Sequence, residues 1–166
     1  MADKDISSKN LTTYESRNLP HWQIGGSWYF ITFRTDKGSL HELAREIVKE
    51  TIVRSHKLHY SLAVAVAMPD HVHLLIRPLT APSGCYFPLS KIMKTLKGVA
   101  ARKINKHDGV SKTIWQKESF DRIIRSEKEW LEKYDYIRNN AVKAGLVERP
   151  EDYPWLMEQD GLEKGY

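Results

Sequence analysis

Two histidines separated by one residue, His71 and His73, stand in the run Met68-Pro69-Asp70-His71-Val72-His73-Leu74-Leu75-Ile76. If this run is a strand, the period of two puts both imidazoles on one face and Val72, Leu74 and Ile76 on the other. Two imidazoles so placed can close on a single cation, which neighbours at i and i+1 cannot. Taken alone, an H-x-H triplet is also what an exposed strand carries by chance. Tyr136 and Asn140 form the second pair, four apart and therefore on one face if their segment is helical. From that face a phenol could act as nucleophile and a carboxamide as ligand to the same ion. The bland alternative for Tyr136 is a surface ring at the helix edge. Tyr134 lies about 200° round from Tyr136 and falls on an apolar stripe with Trp130, Ile137 and Ala141, which assigns it to the core. Ser119 and Cys85 have no neighbouring base that would point to acyl transfer.

These residues need elements to hold them. Residues 27–35 alternate Trp28, Phe30, Thr32 and Arg34 against Tyr29, Ile31 and Phe33, the pattern of a strand. Leu40, Leu43 and Ile47 recur at helical spacing up to about Lys57. Residues 60–68 set Leu62, Val64, Val66 and Met68 on one side against small residues, and Pro69-Asp70 turns the chain into the histidine strand, so that the two make an antiparallel hairpin. After a loop with Pro82, Gly84 and Pro88, helical spacing returns from Leu89 to Ile104. Residues 113–124 read as a short fourth strand or hairpin. Ser126 to Glu129 is a capping-box pattern that opens a helix running to Asn140 or Ala144, and Gly145 ends it. The order β, α, β-hairpin, α, β, α predicts an α+β fold, a ferredoxin-like split βαβ sandwich with an antiparallel sheet and helices on one face. The other face is left for chemistry. Residues beyond 147 show no convincing regular element.

At 166 residues with 41% hydrophobic and 28% charged residues, the chain has the makings of one globular domain with a core of its own. Cys85 is the only cysteine, so no disulfide framework exists within the chain, and together with the absence of an apolar run of membrane-spanning length this predicts a cytoplasmic protein with no membrane partner. The net charge of +5 is unevenly spread: residues 148–166 carry −4, which leaves +9 on the rest. Residues 90–107 hold Lys91, Lys94, Lys97, Arg102, Lys103 and Lys106 with no acid. Such a block is either a solvated helix face or a track for phosphates.

Four segments in order carry a resemblance that no single motif could: Leu19-Pro20-His21-Trp22 followed by Gly26 and Tyr29-Phe30-Ile31-Thr32; the Met68 to Leu75 histidine run; Trp115-Gln116 with Phe120-Asp121-Arg122-Ile123-Ile124-Arg125; and Tyr136-Ile137 with Asn140, Val142 and Gly145-Leu146-Val147. Together they resemble the HUH single-tyrosine transposases that act on single-stranded insertion sequences, and within them the REP-associated tyrosine transposase branch. The family usually follows the asparagine with proline, and here Ala141 takes that place, which leaves Asn139 as an alternative register for Asn140.

Residues 1–20, polar and without periodicity, read as a flexible leader and 148–166 as an acidic tail, while the resemblance implies 21–147 as the HUH transposase/nuclease domain. It implies Tyr136 as the nucleophile, with His71, His73 and Asn140 holding a divalent metal, Mg or Mn, against the scissile phosphate. Imidazole ligands suit Mn²⁺ at least as well as Mg²⁺. The implied product is a 5′-phosphotyrosine with a free 3′-OH, from which strands can be rejoined. The partner is single-stranded or hairpin DNA, with Lys94, Lys97, Arg102, Lys103, Arg122 and Arg125 as phosphate contacts, and the protein acts as a monomer or homodimer, cytoplasmic and at the nucleoid when bound. Two rival readings are a non-catalytic nucleic-acid-binding regulator of the same fold and a metal-dependent phosphodiesterase without a covalent step.

Overall fold

The computed structural model describes residues 23–159. The expected leader, the Leu19 to Trp22 motif and the last seven residues of the acidic tail lie outside them. Among the described residues, five strands form one antiparallel sheet in the order β4-β1-β3-β2-β5, with β5 (Leu156–Glu158) at one edge. Its centre is the expected hairpin, β2 (Tyr60–Ala67) and β3 (His71–Pro78), with β1 (Tyr29–Arg34) on the far side of β3 and β4 (Phe120–Ile123) beyond it. The helices α1 (Glu42–Ser55) and α2 (Leu89–Asp108) cover one face. There Tyr29, Ile31, Phe33, Leu62, Val72, Leu74 and Ile76 meet Val48, Ile52, Leu96 and Ile104 in one buried cluster. This is the ferredoxin-like α+β sandwich that the element order dictates. Among the described residues no helix is long and apolar enough to cross a membrane.

The second face is not left bare. A third helix, α3 (Glu127–Arg138), and its one-turn continuation α4 (Asn140–Lys143) cross it and bury Trp130, Ile137 and Ala141 against Trp28, Phe30, Val64, Val66 and Leu75. Ser126 caps α3 through its hydroxyl, which accepts from the Glu129 N–H at 3.1 Å. Gly145, at φ +70°, closes the segment in the left-handed region that a side chain would resist.

Three expectations need correction. The single apolar stripe of β2 does not exist, because the register steps from Leu62 opposite Ile76 to Val64 opposite Leu75, which makes Ala63 an extra residue. That bulge turns Val64, Val66 and Met68 to the α3 face, while Leu62, Ala65 and Ala67 face α1 and α2. The helix from Ser126 is not continuous: it breaks at Asn139, whose backbone (φ −92°, ψ 6°) leaves the helical basin. Finally, residues beyond 147 do carry regular structure. A 3₁₀ turn at Pro150–Asp152 leads to β5 (Leu156–Glu158), which pairs with Val64, Ala65 and Val66 of β2. A three-residue strand has too few positions to show a period, and only the open edge of β2 selects it.

Candidate functional site

The α3 face of the sheet gathers the chemistry. Strict alternation along β3 sends Val72, Leu74 and Ile76 into the α1/α2 core and leaves His71 and His73 on the opposite face, as the period of two requires. Their rings stand edge to face with centroids 4.6 Å apart. Each ring is fixed through Nδ1. That of His73 lies 2.7 Å from the hydroxyl of Thr32, its partner across the β1–β3 pairing, and that of His71 lies 2.6 Å from a carboxylate oxygen of Asp70. With Nδ1 engaged in each ring, Nε2 is the nitrogen turned to other work, an arrangement typical of oriented ligand histidines.

Electrostatics follow from burial. His73 is 4% exposed, and burial first, then the charges of His71 and Arg34, bring its pKa down to about 3, so the imidazole is neutral near pH 7. Partial burial works against ionisation of Asp70, but the hydrogen bond from His71 and the charges of His71 and Arg34 outweigh it and hold the carboxyl below its usual range. The anion beside His71 therefore persists at neutral pH.

From above, α3 and α4 bring the other pair. Asn140 opens α4 with Oδ1 3.3 Å from Nε2 of His71. The neighbouring Asn139 instead turns its amide back to the Asp135 carbonyl at 2.9 Å, so the structure sets Asn140 rather than Asn139 toward the histidines. If Nδ1 of His71 donates to Asp70, then Nε2 and Oδ1 are two lone-pair donors facing one another, which suits a shared cation. Tyr136, in the last turn of α3, sits with its ring 5.3 Å from that of His73 and 5.9 Å from that of Phe30. It is 38% exposed. Tyr134 has another fate. Its ring stacks on Trp130 and its hydroxyl donates to Glu158 Oε1 at 2.8 Å, and burial, followed by that carboxylate, pushes its pKa up to about 12.

The six expected phosphate contacts divide. Lys94, Lys97, Arg102 and Lys103 lie on α2, in the layer across the sheet from the histidines. Lys94 and Arg102 are exposed, but the ammonium of Lys97 is committed to the carbonyls of Gln116 and Lys117 at 2.7 and 3.0 Å and to Ser119 Oγ at 3.3 Å. Arg122 stands on the histidine side, opposite Phe30 in the β1–β4 register, and pairs with Glu129 at 2.7 Å. Arg125 is exposed beside it, its backbone N–H donating to Glu129.

Sequence reasoning passed over several neighbours. Thr32 and Phe30 reach the site only through strand pairing, although Phe30 stacks on His73 at 5.4 Å. Lys133 and Lys143 place their ammonium groups 5.7 and 5.3 Å from the Tyr136 ring centroid. Spacing could have found both, since Lys133 precedes Tyr136 by three and Lys143 follows it by seven. A separate group, His41, His107 and Asp108, lies on the α1/α2 layer. The Ala44 N–H donates to His41 Nδ1 at 3.2 Å, which puts the proton of neutral His41 on Nε2, 3.1 Å from Asp108. With His107 also 2.9 Å from that carboxylate, hydrogen bonding accounts for the group.

The chain is 26% identical over 133 residues to the REP-associated tyrosine transposase of Escherichia coli (strain K12), a match that spans 79% of this chain and 75% of that one. Its fold is similar to the solved structure of the REP-associated tyrosine transposase bound to a REP hairpin, with a TM-score of 0.67 and 22% identity over 87% of this chain and 82% of that one. The family model described as "Transposase IS200 like" matches residues 32–140, a span running from Thr32 beneath His73 to Asn140 above His71, and on that match the chain belongs to the IS200-like transposases.

Proposed function

We propose that this transposase cleaves and rejoins single-stranded, hairpin-forming DNA through Tyr136, with His71, His73 and Asn140 holding a divalent ion, Mg²⁺ or Mn²⁺. One observation carries the reading: two oriented imidazoles, a carboxamide oxygen 3.3 Å from one of them and a solvent-reachable phenol against the other converge from two unconnected elements. The residues fit such an ion, since His73 and His71 are each held through Nδ1 and present Nε2, and Asn140 adds an oxygen. When bound, the ion would act as a Lewis acid on the scissile phosphate.

The chain's own groups do the rest. Tyr136 gives up its phenolic proton as its oxygen attacks phosphorus, the bond from phosphorus to the 3′ oxygen breaks, and that oxygen leaves as a 3′-OH with a proton taken up. One P–O bond forms for each one lost, so a second 3′-OH can reverse the step and join new ends without an external energy source. Lys133 and Lys143, beside the ring, offer positive charge where the phosphate must sit. The related complex holds a REP hairpin, which supports hairpin DNA as the substrate class.

The test is to incubate the protein with labelled hairpin DNA and Mg²⁺ or Mn²⁺ and resolve it on a denaturing gel, beside Tyr136→Phe and Tyr134→Phe. A protein-linked label that requires metal and is lost only in Tyr136→Phe is the expected result. Tight hairpin binding with neither adduct nor cleavage would favour a regulator of the same fold, and cleavage that survives Tyr136→Phe would favour a phosphodiesterase without a covalent step.

A further inference from the structure

Around Tyr136 the aromatic rings are not equally covered. Phe30 is the hub, 6% exposed and in contact with His73, Tyr136 and Phe120. Phe120 is its outer neighbour, edge to face at 6.3 Å, and is 57% exposed. A large apolar ring left this open on a strand contributes little to the core. Its position is set by pairing: Phe120 lies opposite Thr32 on β4, and Thr32 lies opposite His73 on β3, so the three share one row across one face. At the usual strand spacing Phe120 is about 10 Å from His73 along that row. Two cations lie on the same face: Arg122, two residues on along β4, is largely exposed although its Nε is paired with Glu129, and the Lys133 ammonium stands 4.9 Å from the ring centroid of Phe30, the neighbour of Phe120.

We infer that Phe120 is a stacking platform for an unpaired nucleobase next to the scissile phosphate, with Lys133 and Arg122 meeting the adjoining backbone. The inference rests on the assignment of Tyr136 as nucleophile for its location, but its physical basis is separate. An exposed aromatic on a sheet face beside basic side chains is how single strands are held without sequence readout, because every base has a π face. A paired base is buried in its stack and cannot use the ring. Phe120 thereby makes the site selective for single-stranded DNA, a specificity that neither the histidines nor Tyr136 supplies.

The experiment uses the full chain and hairpin oligodeoxynucleotides whose single-stranded arm carries 2-aminopurine, titrated at fixed salt with wild type, Phe120→Leu, Phe120→Trp and Tyr136→Phe. Phe120→Leu should weaken binding of the arm by about fivefold or more and lose the fluorescence change that stacking causes, while Phe120→Trp keeps both. The same oligonucleotide with its arm made double-stranded should bind wild type and Phe120→Leu alike. Equal affinity and equal fluorescence change for wild type and Phe120→Leu on the single-stranded arm would overturn the inference, as would an equal loss on both DNAs. Tyr136→Phe separates the two readings: it should bind and quench like wild type while forming no adduct. An adduct from Tyr136→Phe would remove the nucleophile assignment and leave the stacking result standing on its own.

Discussion

Under α1 and α2 the sheet presents Ile31, Leu62, Leu74 and Ile76, all fully buried, whereas under α3 the same strands present Thr32, His71 and His73 to a helix that covers only part of them. The first face is closed by two long helices. The second is held at one end by Trp130, Ile137 and Ala141 and opens at the other onto Phe120, Tyr136 and Arg122. Polar groups sit there because each histidine has a partner: Thr32 for His73 and Asp70 for His71. Along β3 the α1/α2 side is apolar throughout, whereas the α3 side carries His71 and His73 at one end and the fully buried Leu75 beyond them, so the polar groups take only one end of the second face.

Substitutions that respect this division should separate folding from activity, and the largest effect falls on the open face. His71→Ala, at a half-buried position, should cut metal-dependent cleavage by about 10³-fold or more while the melting temperature stays within a few degrees of wild type. Comparable losses in both would mean that the two faces are not independent. The mirror experiment is Leu74→Ala, one residue beyond His73 on the closed face. It should cost about 2–5 kcal/mol in denaturant unfolding and leave the cleavage rate per folded molecule unchanged. A smaller effect comes from the group behind His71, the proposed ligand. Asp70→Asn keeps an acceptor for His71 but removes the charge, and should weaken Mn²⁺ binding about 10–100-fold by calorimetric titration with little change in stability.

The closed face was the more legible in the sequence. Strict alternation in β1 and β3 fixes which residues are core and which side carries both histidines, because one face must be continuously apolar. In β2 the same reasoning fails, since the bulge at Ala63 moves Val64 and Val66 to the other side without altering the pattern of letters. The helical spacing that linked Tyr136 with Asn140 also conceals the break at Asn139, yet the backbone there still continues from the Asp135 carbonyl, so the two residues remain neighbours. Thr32, Phe30 and Phe120 belong to the site only through register between strands far apart in the chain. No spacing within one segment encodes them.

The smallest effect tests what holds α3 over the open face. Glu158, on β5, accepts from the Tyr134 hydroxyl at 2.8 Å and from Arg138 Nε at 2.9 Å, so a strand at the far edge of the sheet anchors the helix that carries Tyr136. Removing one such bond in Tyr134→Phe should cost about 1 kcal/mol at neutral pH. Its pH dependence is more telling. Burial and the Glu158 carboxylate raise the folded pKa of Tyr134 to about 12, against 10.0 for an ordinary tyrosine. Between those values the unfolded chain has released a proton that the folded chain still holds, so stability falls as pH rises. The contribution is complete below pH 10 and lost by about pH 12. Urea unfolding at stepped alkaline pH should therefore show wild type losing stability faster than Tyr134→Phe across this interval, with the two curves parallel below it. Parallel curves throughout would mean that Tyr134 titrates as an ordinary surface tyrosine and that β5 does not hold α3 through this bond.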